Sequence, residues 1–250
     1  MTKQSNGNVV HSVKSNQEDI YKNLEAVVRK YAATTFLRPV ADHTREAFEQ
    51  ASEFVRSFYG SQTTGRLELV LDSGCGTGES TLHLAKKFPN VPVIGIDKSA
   101  VRLSKAGNER QLEVSTGGSC DVPANAFWVR AELLDFWRLA LEKVDAGEWQ
   151  ILRHALYYPN PWPKESEATR RFHLHPIFPT LLRLSPVTEL RTNWDIYARE
   201  FAEAAHVLGD ALSLQFNVEL GAFNPENPET AFERKYQSAS QELYKVLVSH

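Results

Sequence analysis

The chain has 250 residues, 42% hydrophobic and 24% charged, which suits one globular domain with a large core. Its formal net charge of -3 lacks the basic excess of a protein devoted to gripping nucleic acid, so any such patch must be local. No apolar run follows a basic flank near the start and no stretch approaches the ~20 apolar residues of a membrane span. The two cysteines, Cys75 and Cys120, do not make a disulfide framework and fit a reducing, cytoplasmic setting. In chain order, residues 1 to about 15 read as polar and loose. Helical periodicity follows near 17–33 and 43–59, the second marked by Ala47, Phe48, Ala51, Phe54, Val55 and Phe58. Strands are expected at 67–74, 91–97, 125–132 and 149–158, with helices at 80–88, 99–110 and 135–145 between them. Helix 170–184, strand 187–194, helix 195–207 and strands 211–220 and 241–250 complete the pattern, with a Pro/Asn-rich loop at 223–230. Strands alternating with helices predict an α/β fold, a mostly parallel seven-stranded sheet covered on both faces.

The sharpest local signal is "LDSGCGTGES", with Gly74, Gly76 and Gly78 between a strand and a helix. Glycines there allow a tight turn and close approach of a ligand to the backbone. The spacing is not G-x-G-x-x-G, because position 79 is Glu, and no Gly-Lys-Ser/Thr follows. Asp97 ends the next strand, where an acid can hold ribose hydroxyls. Glu132 ends the strand after that, and Asp72 precedes the loop. His83 has no partner at zinc spacing, and no metal is expected.

Together these residues resemble the S-adenosyl-L-methionine site of the Rossmann-like class I methyltransferases. The resemblance implies that Gly74, Gly76 and Gly78 face the methionine part of the cofactor. It also implies that Asp97 takes the ribose, that Glu132 lies near the adenine and that Asp72 lies near the methionine amino group. Further along, "YYPNPWPK" (157–164) is similar to the P-D-P-W-P-K segment of the tRNA (guanine-N7)-methyltransferases. Arg170 and Arg171, "RTNWDIYAREF" and "TAFER" resemble later segments of that family in order, over roughly residues 65 to 245. The resemblance implies tRNA as partner, Asn160 as a catalytic and cofactor-side residue, and Lys164, Arg170, Arg171, Asn193, Thr230 and Glu233 on the substrate side. An N-terminal helical region, 1–60, is expected to pack on the core of a methyltransferase domain, 61–250. Thr230 with Glu233 also reads as a helix N-cap pair.

The departures from the family are equally specific. Asn160 and Asn193 stand where the family has acids, and Glu165 and Glu167 interrupt its basic run, leaving residues 164–171 at only +1. Pro159, Pro161 and Pro163 are expected to hold Tyr158, Asn160 and Trp162 near extended geometry. Asn160-Pro161-Trp162 also resembles the N-P-P-aromatic segment of amino-group methyltransferases. An exocyclic-amine or small-molecule N-methyltransferase therefore stays open, as does a weakly active paralogue that binds the cofactor.

Overall fold

A computed structural model of the chain describes residues 13–60, 65–105 and 122–250. Seven strands form one sheet: β1 (Leu67–Ser73), β2 (Val93–Asp97), β3 (Ala126–Arg130), β4 (Trp149–Tyr157), β5 (Val187–Thr192), β6 (Asn217–Phe223) and β7 (Leu243–Ser249). Their order is β3-β2-β1-β4-β5-β7-β6. The first five pair in parallel, and only β7 runs antiparallel to its neighbours β5 and β6. The central strands are buried runs, as parallel strands with helices on both faces must be: all five residues of β2 and the last five of β1 are buried. The helices with both ends described are α1 (Leu24–Ala32), α2 (Asp42–Tyr59), α3 (Glu79–Lys87), α4 (Leu133–Asp145), α5 (Phe178–Arg183), α6 (Asp195–Leu212) and α7 (Ala231–Ser238), and residues 100–105 after β2 are helical as well.

The two N-terminal helices share the main core. Phe48 of α2 packs edge-on to Phe136 of α4, with ring centroids 5.0 Å apart, and lies 5.2 Å from Trp149 of β4. Phe54 stacks on Phe127 of β3 at 4.7 Å. Arg38 and the amide of Ala41 bind the fully buried carboxylate of Asp135 at the start of α4. These contacts seat the segment between α1 and α2 against the sheet's helical layer.

Several expected boundaries move, each for a tertiary reason. The first helix begins at Leu24 rather than near 17, because Gln17 and the Tyr21 amide are turned inward to bind Glu200. The helix expected over 170–184 shortens to Phe178–Arg183, preceded by 3-10 turns at Glu165–Arg170 and Phe172–Leu174. Pro176 and Pro179 lack the N–H that a continuous helix needs, and Arg171 and His173 point into the interior. Helix α6 runs five residues past its expected end and stops at Ser213, which takes a left-handed conformation (φ 55°). The following strand therefore starts only at Asn217. A short helix after the 223–230 loop, α7, was not among the expected elements as a helix, although its Thr-x-x-Glu cap was. Residues 1–12, the distal half of the expected helix 99–110 and Cys120 lie outside the described residues.

One buried amide clamps the region behind the glycine loop. Asn125 Nδ2 donates to the carbonyls of Ala85, Phe88 and Val91 at 2.8–3.1 Å, joining the end of α3 to the start of β3. Asn125→Ala takes the side-chain donor from three carbonyls, of which Phe88 keeps a bond from the Val91 amide, and should lower stability by about 1–3 kcal/mol. Denaturant unfolding should show this as a lower midpoint at unchanged slope. An unchanged midpoint would show that these carbonyls are satisfied without the clamp.

Candidate functional site

The loop after β1 is a left-handed turn pinned from beneath. Gly74, Gly76 and Gly78 have φ of +77°, +60° and +83°, conformations that strain any residue with a Cβ. The amides of Gly74 and Cys75 donate to the Ile96 carbonyl at 2.7 and 3.0 Å, tying the loop to β2. At Gly78 a Cβ would sit 2.2 Å from Trp128 Nε1, so this glycine is also required for packing. At Gly74 and Gly76 a Cβ would meet nothing within 4 Å. The upper side of the loop is open space, the shape a ligand laid against backbone needs.

Two acids brace the loop. Asp97, 3% exposed, accepts from the Gly76 amide at 3.1 Å and from the Ser99 amide at 2.7 Å, with Arg102 at 3.5 Å. Asp72, 1% exposed, takes the hydroxyls of Ser80 and Thr81 on one oxygen, both at 2.6 Å. Its other oxygen, Oδ1, is buried without a hydrogen-bond partner. Burial pushes the Asp72 carboxyl up to about 6, against the pull of the two hydroxyls. Burial also pushes the Cys75 thiol well above its ordinary range, which argues against a nucleophilic role. Glu132 caps α4, half-buried, its amide donating to Thr44 Oγ1 at 3.1 Å. An orphaned acceptor beside an open glycine cradle fits a ligand that brings a cationic amine.

The "YYPNPWPK" loop leaves β4 beside this one. Ser73 of β1 pairs with Leu156 of β4, so the two loops exit the same end of adjacent parallel strands. The sheet order reverses between these strands, the switch point at which open α/β sheets bind ligands. The prolines do not impose extended geometry throughout, as the sequence suggested. Tyr158 (φ 53°) and Trp162 (φ 44°) are left-handed, a rare state for bulky residues. Asn160 is exposed, and its Oδ1 accepts from the Trp162 amide at 3.3 Å, closing an Asx turn. Arg170 lies over the Trp162 ring at 4.6 Å and pairs with Glu167 at 3.2 Å. Lys164 is exposed beside it.

Charged residues form the wall on the other side of β4. Glu189 and Arg191 lie on one face of β5, where Glu189 Oε1 accepts from Arg191 Nε at 2.6 Å. Arg153 of β4 binds the other Glu189 oxygen. Arg191 Nη1 also reaches Glu233 at 2.8 Å and Glu229 at 2.9 Å, and its guanidinium lies 3.9 Å from the centre of the Tyr157 ring. Glu233 accepts in addition from the Tyr158 hydroxyl at 3.1 Å and from the Glu229 amide at 2.6 Å. Thr230 caps α7 by accepting from the Glu233 amide at 3.0 Å. Arg234 then crosses to Glu79 in the first turn of α3, with Nη2 2.8 Å from Oε2, so α7 is strapped to the helix behind the glycine loop.

The structure thus places Gly74, Gly76 and Gly78 between Asp97, bonded to the Gly76 amide, and Asp72, bonded to the first turn of α3, and puts Asn160, Lys164 and Arg170 on the loop and turn after the adjacent strand. Asn193 is half-buried and leans toward Gln241, Nδ2–Oε1 3.5 Å. Two residues expected to face a substrate do not. Arg171 is fully buried, its guanidinium consumed by Glu200, Gln17 and the Trp162 carbonyl. Glu233 is fully buried, with both oxygens already accepting hydrogen bonds. Arg191, Arg153 and Glu189 were not singled out from sequence. The signal was present, since Glu and Arg two apart in a strand share a face, here on either side of Leu190. Among the described residues no three His, Cys, Asp or Glu side chains come together to hold a metal ion, and no helix is long and apolar enough to cross a membrane.

Comparison with known proteins places this geometry. A trans-aconitate 2-methyltransferase of Deinococcus radiodurans is 54% identical over 41 residues, 16% of each chain. A tRNA (guanine-N(7)-)-methyltransferase of Shewanella piezotolerans is 26% identical over 65% of this chain and 60% of its own. The chain therefore spans less than two thirds of either relative. The 16S rRNA methyltransferase KamB matches in structure with a TM-score of 0.50 and 14% identity, over 86% of this chain and 96% of that one, a likeness of fold alone. A family model described as putative methyltransferase matches residues 67–246. The chain belongs to this methyltransferase family, whose cofactor is S-adenosyl-L-methionine.

Proposed function

We propose that the protein is an S-adenosyl-L-methionine-dependent methyltransferase acting on the N7 of a guanine in tRNA. The observation that carries the reading is the Pro-Asn-Pro-Trp-Pro-Lys loop leaving the sheet beside the glycine loop, in a chain that matches a tRNA (guanine-N(7)-)-methyltransferase over 65% of its length. Gly74 and Gly76 would lie along the cofactor, with Asp97 at its ribose, Glu132 toward its adenine and Asp72 Oδ1 facing its ammonium. When bound, the cofactor supplies an electrophilic methyl group on a sulfonium sulfur. Guanine N7 carries a free lone pair, so no general base is needed and the protein's task is alignment. Asn160 and Trp162 would border the base, with Lys164 and Arg170 toward phosphate. Thr230 and Glu233 would shape that wall from behind. With so few exposed cations on the loop, affinity for bulk tRNA should be modest and bound up with shape as well as charge.

An enzyme of exocyclic amines would need the Asn160 oxygen to accept from its substrate. In this structure that oxygen accepts from the Trp162 amide at 3.3 Å and keeps a second lone pair for such a substrate, so the amine reading is the alternative that a transfer assay decides.

Two measurements test these assignments. If Asp72 faces the cofactor ammonium, its ionised form binds better, and its carboxyl titrates near 6. Affinity for S-adenosylmethionine should then fall about tenfold between pH 7 and pH 5, and Asp72→Asn should bind weakly but without that pH dependence. Calorimetric titration decides it, and a pH-independent wild type removes Asp72 from the cofactor site. The effect on stability has the opposite sign. A carboxyl raised in the folded state stabilises most below its unfolded value of about 3.8 and loses that contribution as pH rises through about 6.

The second measurement is transfer of labelled methyl to unmodified tRNA. Asn160→Asp keeps the turn with one oxygen and frees the other as a charged acceptor. A charged hydrogen bond of about 1.5–3 kcal/mol corresponds to roughly one to two orders of magnitude in rate. The variant should transfer faster than the wild type. Loss of an activity on an amine substrate in this variant, with none on tRNA in either protein, would establish the amine reading instead.

A further inference from the structure

We propose that Gln17 is a positioning residue for the Asn160 loop, so that the N-terminal segment 15–21 belongs to the working site. This rests on the methyl-transfer reading above. The argument begins at Trp162, whose left-handed backbone (φ 44°) persists only if its surroundings over-determine it. Arg171 supplies that constraint: its Nε and Nη2 donate to the Trp162 carbonyl at 3.2 and 2.9 Å. Arg171 is itself fixed. Its Nη1 binds both oxygens of Glu200 at 2.8 and 2.6 Å, both residues are fully buried, and its guanidinium lies 4.8 Å from the Trp194 ring centre.

The ion pair alone leaves donors and acceptors unsatisfied in the interior, which is costly. Gln17 closes both sides with one amide. Its Oε1 accepts from Arg171 Nη2 at 2.9 Å, and its Nε2 donates to Glu200 Oε1 at 2.6 Å. The Tyr21 amide and His173 Nε2 complete Glu200, at 2.7 and 2.8 Å. Two further straps join the same partners. Ser15 Oγ donates to the Pro163 carbonyl at 2.6 Å, and the Glu165 amide donates to Asn16 Oδ1 at 3.2 Å. The N-terminal ends of these contacts fall in 15–21, and the other ends fall in 163–171 and at Glu200. Asn160, hydrogen-bonded to the Trp162 amide, inherits its place from them.

The test uses the full chain with Gln17→Met, which keeps side-chain length and removes the bonds to Arg171 and Glu200 together with the local one from Nε2 to the Asp19 carbonyl. Amide exchange across 158–166 should accelerate about tenfold while exchange in β1 and β4 stays unchanged. Affinity for S-adenosylmethionine should hold. The kcat for tRNA should fall about tenfold with KM nearly unaltered, the pattern of a lost alignment rather than lost binding. Unchanged exchange across 158–166 overturns the proposal, as does faster exchange with unaltered kcat. If the wild type does not methylate tRNA at all, the functional reading fails and the exchange arm alone decides the clamp. Should Gln17→Met not fold, Ser15→Ala removes the bond to the Pro163 carbonyl and the acceptor of the Gln17 backbone amide, and is read by the same outcomes.

Discussion

The fold's least replaceable interaction is the buried pair between Arg171 and Glu200. Two charges removed from water cost several kcal/mol each unless geometry and hydrogen bonds compensate. Here the compensation is extensive: Glu200 collects a guanidinium, an imidazole, a side-chain amide and a backbone amide. Burial alone would raise the Glu200 carboxyl, but the imidazole of His173 and the guanidinium of Arg171 hold it at about 2. Burial in turn keeps His173 below its ordinary range, so at neutral pH it is a neutral donor. Hydrophobic residues of similar volume can fill such a space at lower cost, but they would not fix one carbonyl of one loop. The pair joins α6, the 3-10 turns and the N-terminal segment at a single point, and that point lies directly behind the Trp162 carbonyl.

A second charged cluster stands on the opposite side of the same loop. Arg191 gathers Glu189, Glu229 and Glu233, and Glu233 reaches the Tyr158 hydroxyl. The loop from Tyr158 to Trp162 is therefore held at each end by a buried guanidinium working through a different partner. At the Tyr158 end the link is a phenol to a carboxylate, and at the Trp162 end it is a carbonyl to an arginine. Neither cluster is exposed enough to meet a phosphate. The charged residues that distinguish this part of the sequence act mainly on the shape of the site, which reconciles its ionic content with a chain that is not basic overall.

The sheet was legible in the sequence because short strand-like segments alternate with helical ones, and because β1 and β2 carry buried, mainly apolar runs bounded by glycine and charge. The glycine loop was legible because left-handed φ is a property of residue type, and Gly78 cannot be anything larger beneath Trp128. The roles of Arg171 and Glu233 were not. Their sequence neighbourhood marks them as functional, but burial is a tertiary property, and the partners that bury them lie 154 and 42 positions away, at Gln17 and Arg191. The same distance concealed the fixed contacts of Ser15, Asn16 and Gln17, at the edge of a segment expected to be loose. Nothing local in "KSNQEDIY" says that Gln17 will fill the gap in an ion pair formed by α6 and a 3-10 turn.

The prolines of the Asn160 loop acquire a different meaning in this light. Proline restricts the residue before it and disfavours helical geometry there, yet Tyr158 and Trp162, each followed by proline, are left-handed. Such a backbone costs on the order of 1–3 kcal/mol per residue. Prolines lower the entropy of the unfolded segment and so reduce what the folded loop must give up, while the two guanidinium clusters hold the strained residues from outside. Asn160 lies between them with its side chain already committed to the turn. A loop strained at both ends and anchored at both ends has little freedom to adapt to a ligand. Recognition by such a loop depends on the ligand's shape and on the groups at its rim, and a single change of side-chain chemistry at position 160 can alter what is bound without altering how the loop is built.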